Sequence, residues 1–252
     1  FQAAVDAHLV RLGLIGSGTA EDVLVQRCDF RVNGSAVDPD DMVCILFAAD
    51  CSRVTIRVGS GDAGGVGNGS FVGVQGVTAD QVTVEGCRSL LSLTHFVRHV
   101  GPLAGALTLT GWVVRGCEYH LTGAFLTIDD SALAGSIGLA EWLIVDCRGV
   151  SGVVISCKGG FHGEFRECEM SGGAACQVIL SGASNTAGVT FRGCLFSNEV
   201  GGTQRALLVR CTNRVQRSLA IVDNQFLMGT TVGVGEVVRI EVLTAVTGLV
   251  AS

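Results

Sequence analysis

Apolar residues alternate with polar ones in short runs along this chain, and one phrase recurs: VLVQRCDF from Val23, VTVEGCRS from Val82, WVVRGCEY from Trp112 and WLIVDCRG from Trp142. GEFRECEM from Gly163, VTFRGCLF from Val189 and LAIVDNQF from Leu219 continue it, and VTIRVGSG from Val54 is a degenerate copy. With the Cys position of the phrase taken as slot 0, the copies fall at Cys28, Gly59, Cys87, Cys117, Cys147, Cys168, Cys194 and Asn224, 21 to 31 residues apart. Such spacing suits one turn of a solenoid.

Slots −5 and −3 are apolar in Val23/Val25, Val82/Val84, Trp112/Val114, Trp142/Ile144, Val189/Phe191 and Leu219/Ile221, while slots −4 and −2 are more polar. That is the period of a strand with one buried face; Gly163/Phe165 is the weak pair. Slot −1 is often Gly or Asp, residues suited to a bend that moves the side-chain phase by one, so slot 0 turns inward. Slot +2 then carries Phe30, Tyr119, Met170, Phe196 and Phe226.

A second apolar run follows most copies: VCILF from Val43, GAFLTI from Gly123, GVVIS from Gly152, CQVIL from Cys176, ALLVR from Ala206 and VVRIEV from Val237. No run has a sustained helical period with caps. Parallel strands need right-handed crossovers, and a coil of two or three strands repeated along an axis supplies them. The expectation is all-β: a right-handed parallel β-helix of pectate-lyase-like architecture, one domain over 1–252. A leucine-rich repeat shares slots −5, −3 and 0 but calls for Leu at slot −8, where Ala20, Ala79, Leu109, Leu139, Gly160, Thr186 and Gln216 stand.

Composition agrees with a folded chain of many turns: 48% hydrophobic and 16% charged residues, with 36 glycines and 2 prolines. Net charge is −6 and the 17 Lys and Arg are scattered, so nucleic acid is not expected as a partner. The uncharged run over 171–191 is too polar to span a bilayer, so this segment is expected to make no membrane contact. The chain begins at Phe1 and ends in an apolar stretch, and it is expected to be a fragment of a longer repeat protein.

Six of the eleven cysteines, Cys28, Cys87, Cys117, Cys147, Cys168 and Cys194, share the inward slot 0 with Asn224. Successive windings lie about 4.8 Å apart, within reach of a disulfide, yet a column of free thiols acting as small hydrophobes needs no oxidation. No CxxC pair exists, and sulfurs in a line make a poor tetrahedron, so neither a zinc site nor a cofactor is expected. Asn-Gly-Ser sequons at Asn33 and Asn68 are candidate glycosylation sites, consistent with secretion.

Parallel β-helices host polysaccharide lyases and hydrolases, whose chemistry needs carboxylates converging on one groove. Asp129-Asp130 and His162-Gly163 faintly resemble polygalacturonase elements, but the upstream Asn-x-Asp is missing and Phe161 stands where a Gly belongs. Asp38, Asp40 and Asp41 form the one dense acidic cluster, read as a solvated turn and not as a calcium site. His8, His95, His99 and His120 adjoin no nucleophile motif and are read as loop or surface residues. No catalytic residue is assigned; a carbohydrate-active enzyme is the alternative reading.

The V-x-V-x-x-C-x-F phrase, the Gly/Val/Ala-rich texture and return strands such as ALLVRCTN together resemble the repeated ectodomain of the dispersed gene family surface proteins of trypanosomes. The likeness runs from Val23 to Val242. It implies a long, glycosylated parent protein, anchored in the membrane outside this segment, whose β-helical exterior contacts host matrix proteins or glycans at the cell surface. It brings no catalytic residues.

Overall fold

A computed structural model describes residues 2–3, 8–12, 19–32, 43–62, 69–75, 77–99, 107–128, 137–150, 153–157, 160–171, 176–180, 188–198, 206–211, 218–228, 237–242 and 249–251. Among them there is no helix, and the strands pair in parallel into a 17-stranded and a 13-stranded sheet. The chain is a parallel β-helix. The segments after each repeat phrase are strands, Val43–Phe47, Ala124–Ile128, Val153–Cys157, Cys176–Leu180, Leu207–Cys211 and Val238–Val242, where a leucine-rich repeat would usually place helices.

The slots stack in register. Val25 pairs with Ile56, then Val84, Val114, Ile144, Phe165, Phe191, Ile221 and Ala251, one straight column along the axis at slot −3. All except Ala251, whose side chain is not described, are buried. Slot −5 builds a second column in which Trp112 and Trp142 lie face to face at 4.8 Å and 10°. Each indole N–H finds a carbonyl on the preceding winding, Trp112 on Ala79 at 3.0 Å and Trp142 on Leu109 at 3.2 Å, so the ring is buried without an orphaned donor. Beyond Trp142 the slot holds Gly163 because Phe161 already fills the space: a Cβ on Gly163 would lie 2.8 Å from the Phe161 ring and from Trp142.

A left-handed residue turns the phase at slot −1 in every copy. Arg27, Val58, Gly86, Gly116, Asp146, Glu167, Gly193 and Asp223 have φ between 49° and 62°. A second series sits five residues earlier, at Asp22, Arg53, Gln81, Gly111 and Glu141, with φ between 52° and 67°. It stops after Glu141, where the strand from Gly160 to Arg166 runs through without a corner. The windings from Gly160 onward therefore have a different cross-section from those before.

Slot +2 varies in size: Phe30, Gly61, Ser89, Tyr119, Gly149, Met170, Phe196 and Phe226 pair in turn. A Cβ at Gly149 would come within 2.6 Å of the Tyr119 ring, and one at Gly61 within 2.6 Å of Phe71. The return strands stack Ile45, Val72, Val97, Leu126, Ile155, Val178 and Val209, all buried. Beside them Phe71, Phe96 and Phe125 stack at 5.2 and 5.1 Å, so the interior is one continuous aromatic and aliphatic core.

Candidate functional site

Two arrangements carry chemistry: charged rungs on the outer faces, and a row of thiols inside the corner at slot 0. Outward slots put arginine and glutamate from neighbouring windings at strand spacing, close enough to pair. Glu85 lies between Arg57 at 3.3 Å and Arg115 at 3.1 Å. Glu118 lies between Arg88 at 3.1 Å and Arg148, whose Nε donates at 3.0 Å. Glu164 takes Arg166 of its own strand at 3.1 Å and Arg192 of the next winding at 3.5 Å, and Glu241 takes Arg210 of the preceding winding at 2.7 Å and Arg239 of its own strand at 2.9 Å. The arginines hold Glu85 and Glu118 below the usual carboxylate range, chiefly by the hydrogen bonds from Arg115 and Arg148 respectively. Arg53 clamps Asp22 at 2.6 Å and Glu21 at 2.9 Å.

These rungs leave shallow depressions. One of about 450 Å³ lies over Asp22, Leu24, Arg53, Arg57, Glu85 and Arg115, and one of about 320 Å³ over Glu118, His120, Arg148, Glu169 and Ser171. A third, of about 200 Å³, is lined by Gly116, Cys117, Glu118, Asp146 and Arg148.

The inner row follows from the corner. The left-handed residue at slot −1 turns the peptide so that the slot 0 N–H points along the axis toward the next winding. There the slot 0 side chain of that winding lies, and the Cys194 N–H is met in this way by the Asn224 side-chain oxygen. Each thiol lies within donating distance of two carbonyls, slot −2 of its own winding and slot −3 of the preceding one: Cys87 is 3.4 Å from Glu85 and 3.7 Å from Ile56, Cys117 3.4 Å from Arg115 and 3.7 Å from Val84, Cys147 3.3 Å from Val145 and 3.6 Å from Val114, Cys168 3.3 Å from Arg166 and 3.5 Å from Ile144, and Cys194 3.6 Å from Arg192 and 3.4 Å from Phe165. Asn224 holds the slot with its amide, accepting from the Cys194 N–H at 2.8 Å and donating to the slot −3 carbonyl of Phe191 at 3.0 Å. The slot thus suits a small side chain that can donate to the slot −3 carbonyl, as thiol and amide both can.

Cys28, Cys44, Cys51, Cys87, Cys117, Cys147, Cys168, Cys176 and Cys194 are free thiols, and all of them but Cys28 are buried. Burial pushes the Cys44 and Cys176 thiols up to about 12, and Cys194 is raised by its contact with the Cys168 thiol and by burial. Thiols so held are inert as nucleophiles.

Of the other residues singled out in the sequence, His162 is exposed and pairs with Gly188, whereas Asn33, Asn68, Asp38, Asp40, Asp41, Asp129 and Asp130 lie outside the described residues. The reading of the histidines as loop or surface residues needs correction for two of them. His95 and His99 belong to the strand Arg88–His99, and His99 is buried. Their strand pairs with both neighbours, which turns polar-looking sequence into wall. His95 accepts the Ala124 N–H at Nδ1, 3.3 Å away, and the Thr127 hydroxyl lies 3.1 Å from the same nitrogen. Burial, followed by the nearby Arg98 charge, lowers its pKa to about 4. The Arg–Glu–Arg rungs were also missed, although Arg57, Glu85 and Arg115 recur at the repeat spacing in one slot.

Among the described residues no group of three or more His, Cys, Asp or Glu side chains is placed to hold a metal ion, and no helix is long and apolar enough to cross a membrane. No protein-family model matches the chain, and no curated protein matches it.

Proposed function

We propose that this chain is a non-enzymatic structural and adhesive segment of a cell-surface protein, presenting the outer faces of its β-helix to extracellular matrix proteins or glycans. The observation that supports it is the fate of the outward carboxylates. Glu85, Glu118, Glu164 and Glu241 are each engaged by two arginines, so they act as rungs that tie windings together. A hydrolase needs one carboxyl free to donate a proton and another free to attack or activate water; arginine pairing on both sides opposes the first role by keeping the acid ionised. Periodic rungs along a stiff axis suit repeated weak contacts with an extended partner. The cell-surface placement rests on the sequons at Asn33 and Asn68 and on the repeat's likeness to the trypanosome dispersed gene family ectodomain.

Binding of the chain to immobilised matrix proteins and to a glycan array, run beside a reducing-sugar release assay on acidic polysaccharides, tests this reading. Saturable binding without sugar release is the expected result. Sugar release that disappears in Asp130→Asn would establish the carbohydrate-active alternative instead.

A further inference from the structure

The thiols of Cys87, Cys117, Cys147, Cys168 and Cys194 stand at slot 0 of successive windings, which the backbone bonds from Glu118, Arg148, Glu169 and Leu195 to the carbonyls of Cys87, Cys117, Cys147 and Cys168 hold in register. Their windings repeat at about 4.8 Å, so a point midway between two sulfurs drawn to that spacing lies about 2.4 Å from each, close to the roughly 2.3 Å of a metal–thiolate bond. Tetrahedral zinc finds no site in such a line, but a two-coordinate ion needs only two opposed sulfurs. Thiolates select soft ions such as copper(I). The row also has a threshold. The depression of about 200 Å³ reaches Gly116 and Cys117 beside the Asp146 carboxylate, and nothing stands within 4 Å of where a Cβ on Gly116 would be.

We propose that the thiol row from Cys87 to Cys194 binds soft monovalent d¹⁰ ions of the copper(I) class, each held linearly between the sulfurs of successive windings, with entry at Gly116. Filling is an exchange without electron transfer. Five S–H bonds break and five protons leave to solvent, while four ions enter the four intervals between Cys87, Cys117, Cys147, Cys168 and Cys194. Inner sulfurs bridge two ions and the end sulfurs hold one, leaving a single negative charge shared along the row. This capacity is independent of the adhesive role.

The reduced, intact chain is titrated anaerobically with silver(I), a redox-inert member of the class, and with copper(I) supplied as its acetonitrile complex. The ultraviolet thiolate-to-metal band and proton release are followed together. The comparison is with Cys117→Asn/Cys147→Asn, in which amides take over the ladder bonds as Asn224 does. That variant keeps one interval, Cys168 to Cys194, so it should bind three fewer ions than the native chain; equal uptake by the two proteins overturns the proposal. X-ray absorption on the loaded native chain decides the matter even if the variant does not fold. Two sulfur neighbours at roughly 2.3 Å support a digonal site, and a shell of oxygen and nitrogen, or of four sulfurs, removes it.

Discussion

Asn224 and Cys194 are joined by a 2.8 Å hydrogen bond from the backbone N–H of Cys194 to the Asn224 side-chain oxygen, and the same amide donates onward to Phe191 at 3.0 Å. The ladder therefore tolerates exchange of thiol for amide but not loss of both functions. Asn224→Ala leaves a donor and an acceptor at the corner unmatched and should cost about 1–3 kcal/mol. Asn224→Cys should cost well under half of that. Denaturant unfolding of the two variants, read at equal slope, checks the difference.

Trp142 contributes a stacked ring, a buried indole hydrogen bond and contact with Phe161 at 6.0 Å between ring centres. Trp142→Ala should destabilise by about 3–5 kcal/mol. Trp142→Phe keeps the stack and frees only the Leu109 carbonyl, so its loss should be nearer about 1 kcal/mol. Calorimetric unfolding that ranks the two in the opposite order would contradict the packing described.

Val58 is a β-branched residue at φ 51°, 57% exposed, in the slot where Gly86, Gly116 and Gly193 stand on later windings. A left-handed conformation costs a residue with a Cβ about 1–2 kcal/mol. Glycine removes that strain and gives back part of the gain as unfolded-state entropy. Val58→Gly should raise stability by a net amount of about 0.5–1 kcal/mol, seen as a higher melting temperature.

His95 links stability to pH. Its folded pKa of about 4 lies below the ordinary 6.5, so between those values the unfolded chain binds more protons than the folded one. Stability should fall as pH drops from about 6.5 toward 4, by up to about 3 kcal/mol. His95→Gln should flatten that window. A further decline below it belongs to carboxylates such as Glu85 and Glu118, whose pKa values arginine lowers.

The column from Val25 to Ile221 was legible because strand alternation leaves one apolar residue in the same slot of every copy. Corners were legible only where glycine or aspartate occupies them. Arg27, Val58 and Glu167 take the left-handed conformation with no local signal, imposed by the windings above and below. The earlier corner escaped notice because Arg53, Gln81 and Glu141 give no local signal, and Asp22 and Gly111 alone do not make a series. The return strand ending at His99 was hidden because His95, Arg98 and His99 make it look like loop, and only pairing with Gly69–Val74 and Ala124–Ile128 reveals it. Charged rungs depend on which windings become neighbours, so they surface only once the register is known.

Tyr119 reaches over Gly149 and closes the space that any larger side chain there would need. Excising the winding that carries Gly149 would bring Met170 down onto Tyr119, although the backbone ladder on either side would rejoin without a gap. Copies of this repeat are consequently not interchangeable bricks. Bulky rungs do follow one another farther along, at Met170, Phe196 and Phe226, so the restriction is local: a gene that lost the copy with Gly149 would encode a stack in which Tyr119 must swing aside to seat Met170.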